Sequence, residues 1–180
     1  MFITNRAKIE IQSVKHAQLL LDYHVDNEVH LRPWQPEPLD EYLTIEHWVS
    51  MCELSEQSFK YGKEYRFVAL DFERNEIIGV INYTGLAKGA FQACFLGYSI
   101  SKAFENKGYM TEILEVTNDY ILEVLGFNRI MANYMPHNHA SAGVLEKLGF
   151  EKEGYAKRYL KIAGKWEDHI LTSKVASNRQ

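Results

Sequence analysis

The sequence contains little cysteine and no long apolar run. Its two cysteines, Cys52 and Cys94, belong to no CxxC pattern, so neither a disulfide framework nor a zinc site is indicated, and we expect no bound metal. The longest apolar runs, such as Leu19-Leu20-Leu21, fall far short of the roughly 20 residues that a membrane-spanning helix needs. A membrane protein and a disulfide-stapled scaffold are therefore not expected.

The sequence also lacks an excess of positive charge. The 20 Lys and Arg residues against 24 Asp and Glu residues leave a net charge of -4, which is a poor match to a phosphate backbone. Direct nucleic-acid binding is therefore not expected. The first six residues lack the apolar stretch and the small-residue cleavage site of a secretory signal, so we expect a cytoplasmic protein.

What the sequence does contain is typical of one globular domain. It has 180 residues, of which 46% are hydrophobic, 13% aromatic and 24% charged, and this composition is too apolar for a disordered chain. No internal repeat, low-complexity tract or long linker is visible. We therefore expect a single domain over residues 1–180, because domains commonly run from about 100 to 200 residues.

Hydrophobic periodicity divides the chain into strands and helices. Short hairpin-type connections join three central strands into an antiparallel meander, whereas a later strand, glycine turn, helix and strand predict a right-handed crossover with parallel strands. The predicted fold class is therefore α/β with a mixed sheet. In order, the predicted elements are strand 9–14, helix 15–29, a proline turn at 32–38, helix 39–61, strands 65–71, 76–86 and 91–101, helix 111–125, strand 129–135, helix 138–148, and strands 150–155 and 166–173.

The junction before helix 111–125 has the features of an anion site. A helix start offers unpaired backbone N–H groups and the positive end of the helix dipole. Gly108 lets the backbone approach an anion closely, Thr111 adds a hydroxyl, and Lys102 or Lys107 can screen the charge. The segment is neither GxxxxGK[ST] nor GxGxxG, so by itself it also fits an ordinary strand-to-helix connection with solvated lysines.

Three motifs taken together resemble those of the GNAT superfamily of acetyl-coenzyme A-dependent N-acetyltransferases. They are the turn 105–110, the Asn138-x-x-Ser141 motif and the Lys-Leu-Gly-Phe ending at 147–150. The runs 129–138 and 148–157 are similar to the RimJ branch of that superfamily, the ribosomal-protein-alanine N-acetyltransferases. The resemblance covers about residues 8–173.

The resemblance implies a sheet that splays open, with helices on its flanks and the pantetheine arm of acetyl-coenzyme A lying in the split like an extra strand. Main-chain groups at 99–101 would pair with the pantetheine amides, and amides at 106–111 would bind the pyrophosphate. The implied binding residues are Ser99, Ile100, Ser101, Asn106, Lys107, Gly108, Tyr109, Met110, Thr111, Asn138 and Ser141.

Two residues of the turn depart from the family pattern. Glu105 stands where the family favours Gln or Arg, and Met110 stands where it favours Gly or Ala. A carboxylate beside a pyrophosphate is repulsive, so we expect the Glu105 side chain to face solvent. The backbone role of the turn is unaffected by either departure.

Acetyl transfer to an amine needs a neutral amine, a donor for the developing oxyanion, for which the backbone N–H near Ile100 is a candidate, and a proton for the departing thiolate. Many GNAT members have a Glu where this chain has Asn133, and a Tyr where it has Leu145. Asn133 cannot take a proton and can only orient the amine or a water molecule. Ser141 and Tyr159 are the candidates for protonating the thiolate, with Tyr155 behind them.

The segment after the first helix is the predicted acceptor-binding region. Trp34 offers an apolar wall beside Arg32, and Glu28 or Asp26 can hold an ammonium group. The alternative is that Trp34 only caps the core.

The leading hypothesis is acetylation of the N-terminal alanine of small-subunit ribosomal protein S five, a substrate that rests on the resemblance. The alternatives are an enzyme that acetylates a small amine or another protein N-terminus, and a non-catalytic acetyl-coenzyme A-binding protein. The partner expected is thus the N-terminus of a ribosomal protein, and the chain itself is expected to be a monomer or a homodimer.

Overall fold

The computed structural model describes residues 1–38, 41–73 and 76–177. They form an eight-stranded mixed sheet with the strand order β1-β2-β3-β4-β5-β6-β8-β7. The strands are β1 (Phe2–Ile3), β2 (Ala7–Ile11), β3 (Tyr65–Asp71), β4 (Ile77–Ala87), β5 (Ala93–Ile100), β6 (Arg129–Met131), β7 (Glu151–Ile162) and β8 (Lys165–Val175).

Helices cover both faces of this sheet. Within the described ranges, no helix is long and apolar enough to cross a membrane. The α-helices are α1 (Ala17–Asp26), α2 (Glu28–Leu31), α3 (Ile45–Lys60), α4 (Tyr109–Asp119) and α5 (His139–Lys147), and short 3-10 turns lie at Val14–His16, Arg32–Trp34 and Lys102–Phe104, with a π turn at Tyr120–Val124.

The feature that positions the site is a split between β5 and β6. These two strands pair in parallel, with registered partners from Ala93 to Phe95 on β5, whereas β5 stays paired with β4 as far as Ile100. The second half of β5 therefore has one paired edge and one open edge. The helix α4 leaves β5 at this point and makes the predicted crossover to β6.

Two hydrophobic clusters lie on opposite faces of the sheet. One joins α4 to the sheet and includes the fully buried Ile113 and Leu114; the other packs α1 and α3 on β3 and β4 and includes Leu20, Trp48 and Cys52. Fully burying one such aliphatic side chain contributes roughly 1.5–3 kcal/mol. Both cysteines are buried and unpaired, and burial raises the pKa of the Cys52 thiol to about 11.

The α/β class, the mixed sheet and the central meander are confirmed, and the differences lie at element ends and in one short N-terminal strand. The predicted strand 129–135 pairs only as far as Met131 and returns to the sheet at a bridge between Tyr134 and Ile170. Strand β7 runs to Ile162, beyond the predicted end at 155, because a register shift after Ala156 lets pairing with β8 resume. In the predicted helix 39–61, residues 39 and 40 lie outside the described residues.

The start of that helix shows why its predicted limit was too early. The helix α3 begins at Ile45, where the Thr44 hydroxyl accepts a hydrogen bond from the His47 amide. Such a side-chain cap satisfies one of the unpaired amides of the first turn. The short strand β1 at the N-terminus was not predicted, since its two residues carry no periodic signal.

Candidate active site

A cleft of about 580 Å³ lies in the split of the sheet. The open edge of β5 forms one wall, the start of α4 and α5 form the next, and residues of β8 and the loop after β6 close the far side. The segment after α2 reaches over it, with Trp34 among the lining residues.

The register of β5 decides which main-chain groups face the cleft. The Ser101 amide donates to the Ile78 carbonyl at 2.8 Å, and Ser99, two residues earlier, has the same strand parity. Because hydrogen-bonding groups alternate between the edges of an antiparallel strand, the groups of Tyr98 and Ile100 face the split. The main-chain groups of Ile100 are therefore on the open edge, as predicted. Those of Ser99 and Ser101 face β4, contrary to the prediction for both residues.

The start of α4 presents free amides beside this edge. Gly108 caps the helix with φ +80°, in the left-handed region that favours glycine, and the first helical bond runs from the Glu112 amide to the Gly108 carbonyl at 3.2 Å. The amides ahead of Glu112 have no acceptor within the helix. They belong to Tyr109, Met110 and Thr111, all of which line the cleft.

Arg6 holds this turn from outside the cleft. Its Nη1 donates to the Lys107 carbonyl at 2.8 Å, and its Nε donates to Glu112 Oε2 at 2.7 Å. Its guanidinium carbon also lies 4.2 Å from the centre of the Tyr109 ring, in the range of a cation–π contact. The Lys107 ammonium is directed to the Ala103 carbonyl at 2.7 Å, so Lys107 does not line the cleft.

The two departures from the family turn have different structural outcomes. Met110 is buried, and a Cβ added at Gly79 would lie only 2.8 Å from its Cε, so the absence of a side chain at Gly79 accommodates the methionine. Glu105 does not turn away into solvent as expected. Its Oε1 lies 3.5 Å from His30 Nε2, and the two side chains lie together in the cleft wall.

The first turn of α5 carries the second predicted motif. Asn138 Oδ1 accepts from the Ser141 amide at 3.1 Å, which caps the helix. Ser141 Oγ lies 2.8 Å from Tyr98 Oη. Burial raises the pKa of Tyr98 to about 12, so its hydroxyl stays protonated at neutral pH. The cleft therefore contains a pair of coupled hydroxyls beside the open edge of β5.

Asn133 is held by hydrogen bonds at the far wall. Its Oδ1 accepts from the Thr172 amide of β8 at 3.2 Å, and its Nδ2 donates to the Tyr159 hydroxyl at 3.0 Å. The Tyr159 ring lies 5.3 Å from the His169 ring, centre to centre. Asn133 and His169 line the cleft, whereas Tyr159 lies behind them.

The acceptor side of the cleft opens onto a second cavity of about 350 Å³. The two spaces meet at the β5 residues 97–99 and at Trp34, whose side chain is 37% exposed and whose ring lies 5.6 Å from the His137 ring. Trp34 therefore forms a wall of the cleft. Glu28 and Arg32 line neither space and both act electrostatically on Tyr42. Polar residues that line only the second cavity are Gln12, His24, Gln35, Arg66 and Asn82.

The predicted residues thus separate into two groups, and several cleft residues were not predicted. Predicted residues that line the cleft are Trp34, Ser99, Ile100, Asn106, Gly108, Tyr109, Met110, Thr111, Asn133, Asn138 and Ser141. Predicted residues that do not line it are Glu28, Arg32, Ser101, Lys107 and Tyr159. His30, part of the predicted acceptor segment 30–34, also lines the cleft. Polar lining residues that sequence reasoning missed as site residues are Tyr98, Glu105, Tyr134, His139, Lys147 and His169. Tyr98 could have been predicted from the sequence, because residues two apart in a strand present their main-chain groups to the same edge and Ile100 was already predicted.

The residues present fit acetyl-coenzyme A. The open edge at Tyr98 and Ile100 suits the amides of an extended arm, and the free amides at the start of α4 suit a diphosphate. The added Cβ of an alanine at Gly108 would meet only Arg6 Nη2, at 3.5 Å, so the backbone there is accessible to a bound group. In the described part of the chain, no group of three or more His, Cys, Asp and Glu side chains is arranged to hold a metal ion.

Comparison with known proteins gives the family of this chain. Residues 10–151 match the acetyltransferase (GNAT) domain family. The chain is 40% identical over 170 residues to the ribosomal protein uS5-alanine N-acetyltransferase of Escherichia coli (strain K12), an alignment that covers 94% of this chain and 88% of that one.

Solved structures agree with this match. The crystal structure of ribosomal-protein-S5-alanine acetyltransferase from Vibrio fischeri superposes with a TM-score of 0.95 at 36% identity, covering 98% of this chain and 97% of that one. Mycobacterium smegmatis RimJ in complex with CoA-disulfide shares the fold, with a TM-score of 0.88 at 24% identity over 96% and 87% of the two chains. This chain therefore belongs to the GNAT acetyltransferases, which use acetyl-coenzyme A as the acetyl donor.

Proposed function

We propose that this chain transfers the acetyl group of acetyl-coenzyme A to the α-amino group of the N-terminal alanine of ribosomal protein uS5. The observation that carries the proposal is the 40% identity over 94% of the chain to an enzyme of that activity. The site adds support, because the cleft opens at Trp34 onto the second cavity. An extended chain end, unlike a small amine, has further residues to place in such a space.

The proposed donor side consists of β5, α4 and α5. The amides at the start of α4 would hold the diphosphate, and the main-chain groups of Tyr98 and Ile100 would hold the arm. Asn138 Nδ2 would add a donor, since Oδ1 is used by the Ser141 amide. When bound, acetyl-coenzyme A supplies the activated acetyl group.

The proposed chemistry uses groups on both sides of the split. The Ile100 amide lies on the open edge, where it can donate to the oxygen on which negative charge develops. The Ser141 hydroxyl, bonded to Tyr98 at 2.8 Å, is placed to give a proton to the leaving sulfur. Asn133 has its carbonyl bonded to Thr172 and its amide bonded to Tyr159, so it would position neighbouring groups and would not transfer protons.

An N-terminal acceptor suits a site with these groups. The pKa of an α-amino group is about 7.7–8.0, against about 10.4 for lysine. Near pH 7, roughly a tenth of N-termini are therefore already neutral, but fewer than about one lysine in a thousand. The site has only to remove a proton after attack and need not first neutralise a strongly basic amine.

The proposal is tested with purified protein, acetyl-coenzyme A and a panel of acceptors. The panel contains full-length uS5 with a free N-terminal alanine, the same protein with a blocked N-terminus, peptides that start with Ala, Ser or Met, free lysine and polyamines. We expect acetylation of uS5 and of Ala-starting peptides, located at the first residue by tandem mass spectrometry, and none of the blocked protein. Turnover confined to polyamines, or binding without any turnover, would contradict the proposal.

A further inference from the structure

A buried histidine of β8 faces the cleft and has no role in the chemistry described so far. His169 is 4% exposed and belongs to the cleft lining. It pairs in register with Ala156 of β7, in the stretch of the hairpin that precedes the register shift. The imidazole thus sits on the wall opposite the open edge of β5.

A main-chain contact fixes which ring nitrogen carries the proton. His169 Nδ1 lies 3.1 Å from the Glu167 carbonyl oxygen. A carbonyl oxygen only accepts, so Nδ1 must be the donor. In the neutral ring the lone pair is then on Nε2, and Nε2 has no hydrogen-bond partner among the described residues. This is the tautomer that a general base requires.

The other cleft residues are less suited to accept a proton. His30 Nε2 lies beside Glu105 Oε1 at 3.5 Å, and His139 is exposed at the first position of α5. Asn133 has no basic atom, and Leu145 has no polar atom at all. Among histidines of the lining, His169 alone is both buried and free at a ring nitrogen in the part of the chain that is described.

The groups around the imidazole leave that nitrogen available. From β7, the Tyr159 ring lies 5.3 Å away, and its hydroxyl accepts a hydrogen bond from a side-chain amide of the cleft wall. Glu167 reaches the ring through its carbonyl. The Asp168 carboxylate, on the other face of the strand, is occupied by the Tyr155 hydroxyl and the Arg158 amide.

We propose that His169 is the general base of the reaction, an inference that rests on the proposed function. As the amine nitrogen bonds to the acetyl carbon, the proton that it loses passes to Nε2. As the carbon–sulfur bond breaks, the sulfur takes a proton from the Ser141 hydroxyl. The imidazolium then returns its proton through solvent to Ser141, and both side chains regain their starting states.

The test uses His169→Asn, because an asparagine amide can still donate to the Glu167 carbonyl but has no basic atom at the position of Nε2. We expect the rate on an Ala-starting peptide to fall about 100-fold near pH 7, within the range of general base catalysis. The acidic limb of the wild-type pH profile should disappear from the variant. The affinity for coenzyme A, measured by calorimetry, should change by less than about twofold, because His169 lies in β8, outside the elements β5, α4 and α5 that are proposed to hold the donor.

Two further measurements separate a base from a merely structural residue. Ring nitrogen NMR of the unliganded wild type should show the neutral His169 ring with its proton on Nδ1. The matched control is His47→Asn, a histidine of α3 that lines neither cavity, which should retain the wild-type rate. A loss below about threefold in His169→Asn, or retention of the acidic limb, would overturn the proposal.

The test also distinguishes the failure of this inference from the failure of the proposed function. If the wild type acetylates a small amine and not uS5, the function is wrong, and His169→Asn is then assayed on that amine. If the wild type acetylates uS5 and the variant does so equally well, the function stands and the role of His169 is wrong.

Discussion

Ser141 Oγ lies 2.8 Å from Tyr98 Oη, and this contact joins the first turn of α5 to the open edge of β5. The two residues come from elements that are separated in the chain by α4 and β6. The tyrosine is partly buried, and this burial raises its pKa to about 12. The pair therefore stays uncharged at neutral pH, with one hydroxyl hydrogen left to donate into the cleft.

This contact predicts different losses for the two residues. Ser141→Ala removes the proposed proton donor and should lower kcat about 10- to 100-fold, a moderate share of general acid catalysis. Tyr98→Phe removes only the partner of that donor and should lower kcat about three- to tenfold. Steady-state kinetics with uS5 peptide measure both. Unchanged kcat with a raised KM for acetyl-coenzyme A in both variants would assign the pair to binding alone.

Local patterns predicted the elements well, but not which groups face the cleft. The three meander strands were predicted within two residues at each end, because their connections are short and polar. The bond from the Ser101 amide to the Ile78 carbonyl shows that this amide faces β4. That pairing register cannot be read from the sequence of one strand alone. The resemblance therefore located the segment 99–101 but not the alternation within it.

Long-range contacts explain the remaining omissions. Arg6 supports the turn before α4 from a position more than a hundred residues earlier, and no spacing rule connects the two. His169 lies in a run whose alternation predicts a strand, but nothing in that run tells which face covers the split. Glu105 was expected in solvent because of charge repulsion. Its partner His30, at 3.5 Å, was not foreseen because it belongs to a helix far away in the chain.

The contacts of Arg6 predict a binding defect. Arg6→Gln removes the bonds to the Lys107 carbonyl and to Glu112, so the turn loses its anchor and must be ordered by the ligand itself. We expect the Kd for coenzyme A, measured by calorimetry, to rise about three- to tenfold through lost preorganisation. The kcat at saturating donor should change by less than about twofold.

The control for Arg6→Gln is Arg129→Gln. Arg129 is also a surface arginine, bonded to Glu153 at 2.6 Å, and it does not line the cleft. Arg129→Gln removes the same charge but leaves the contacts of the turn before α4 unchanged. The Kd for coenzyme A should therefore stay near the wild-type value. Equal effects in both variants would attribute the defect to net charge.

Alanine substitutions at two glycines should change the free energy of unfolding in opposite directions. At Gly79, an added Cβ would lie 2.6 Å from the Ser99 carbonyl and 2.8 Å from Met110 Cε, so Gly79→Ala should lower the free energy of unfolding by about 1–3 kcal/mol. At Gly143, inside α5, an added Cβ would meet nothing within 4 Å, so Gly143→Ala should raise it by about 0.5–1 kcal/mol. Urea denaturation measures both, and a stabilised Gly79→Ala would contradict the packing described.

The stacked pair of His24 and Trp48 makes stability depend on pH. The two rings lie 4.4 Å apart, and neither His24 Nδ1 nor Trp48 Nε1 has a hydrogen-bond partner in the described residues. Burial, with a smaller contribution from His47, lowers the pKa of His24 from 6.5 to about 4. Between pH 6.5 and about pH 4, the unfolded chain binds a proton at His24 that the folded chain does not. The contribution of His24 to the free energy of unfolding is therefore fully present above pH 6.5 and is lost as the pH drops.

Removing this imidazole should flatten that dependence. We expect His24→Phe, which keeps a flat ring against Trp48, to match wild-type stability near pH 7.5. By pH 4, wild type should have lost about 3 kcal/mol through His24 that the variant keeps. Burial also lowers the pKa of His16, so a slope of the same sign should remain in the variant.

Urea midpoints at intervals from pH 7.5 to 4.5 measure the difference, with the exposed His139→Gln as the control. Parallel curves for wild type and His24→Phe would show that His24 is protonated inside the fold at no cost, contrary to its buried position.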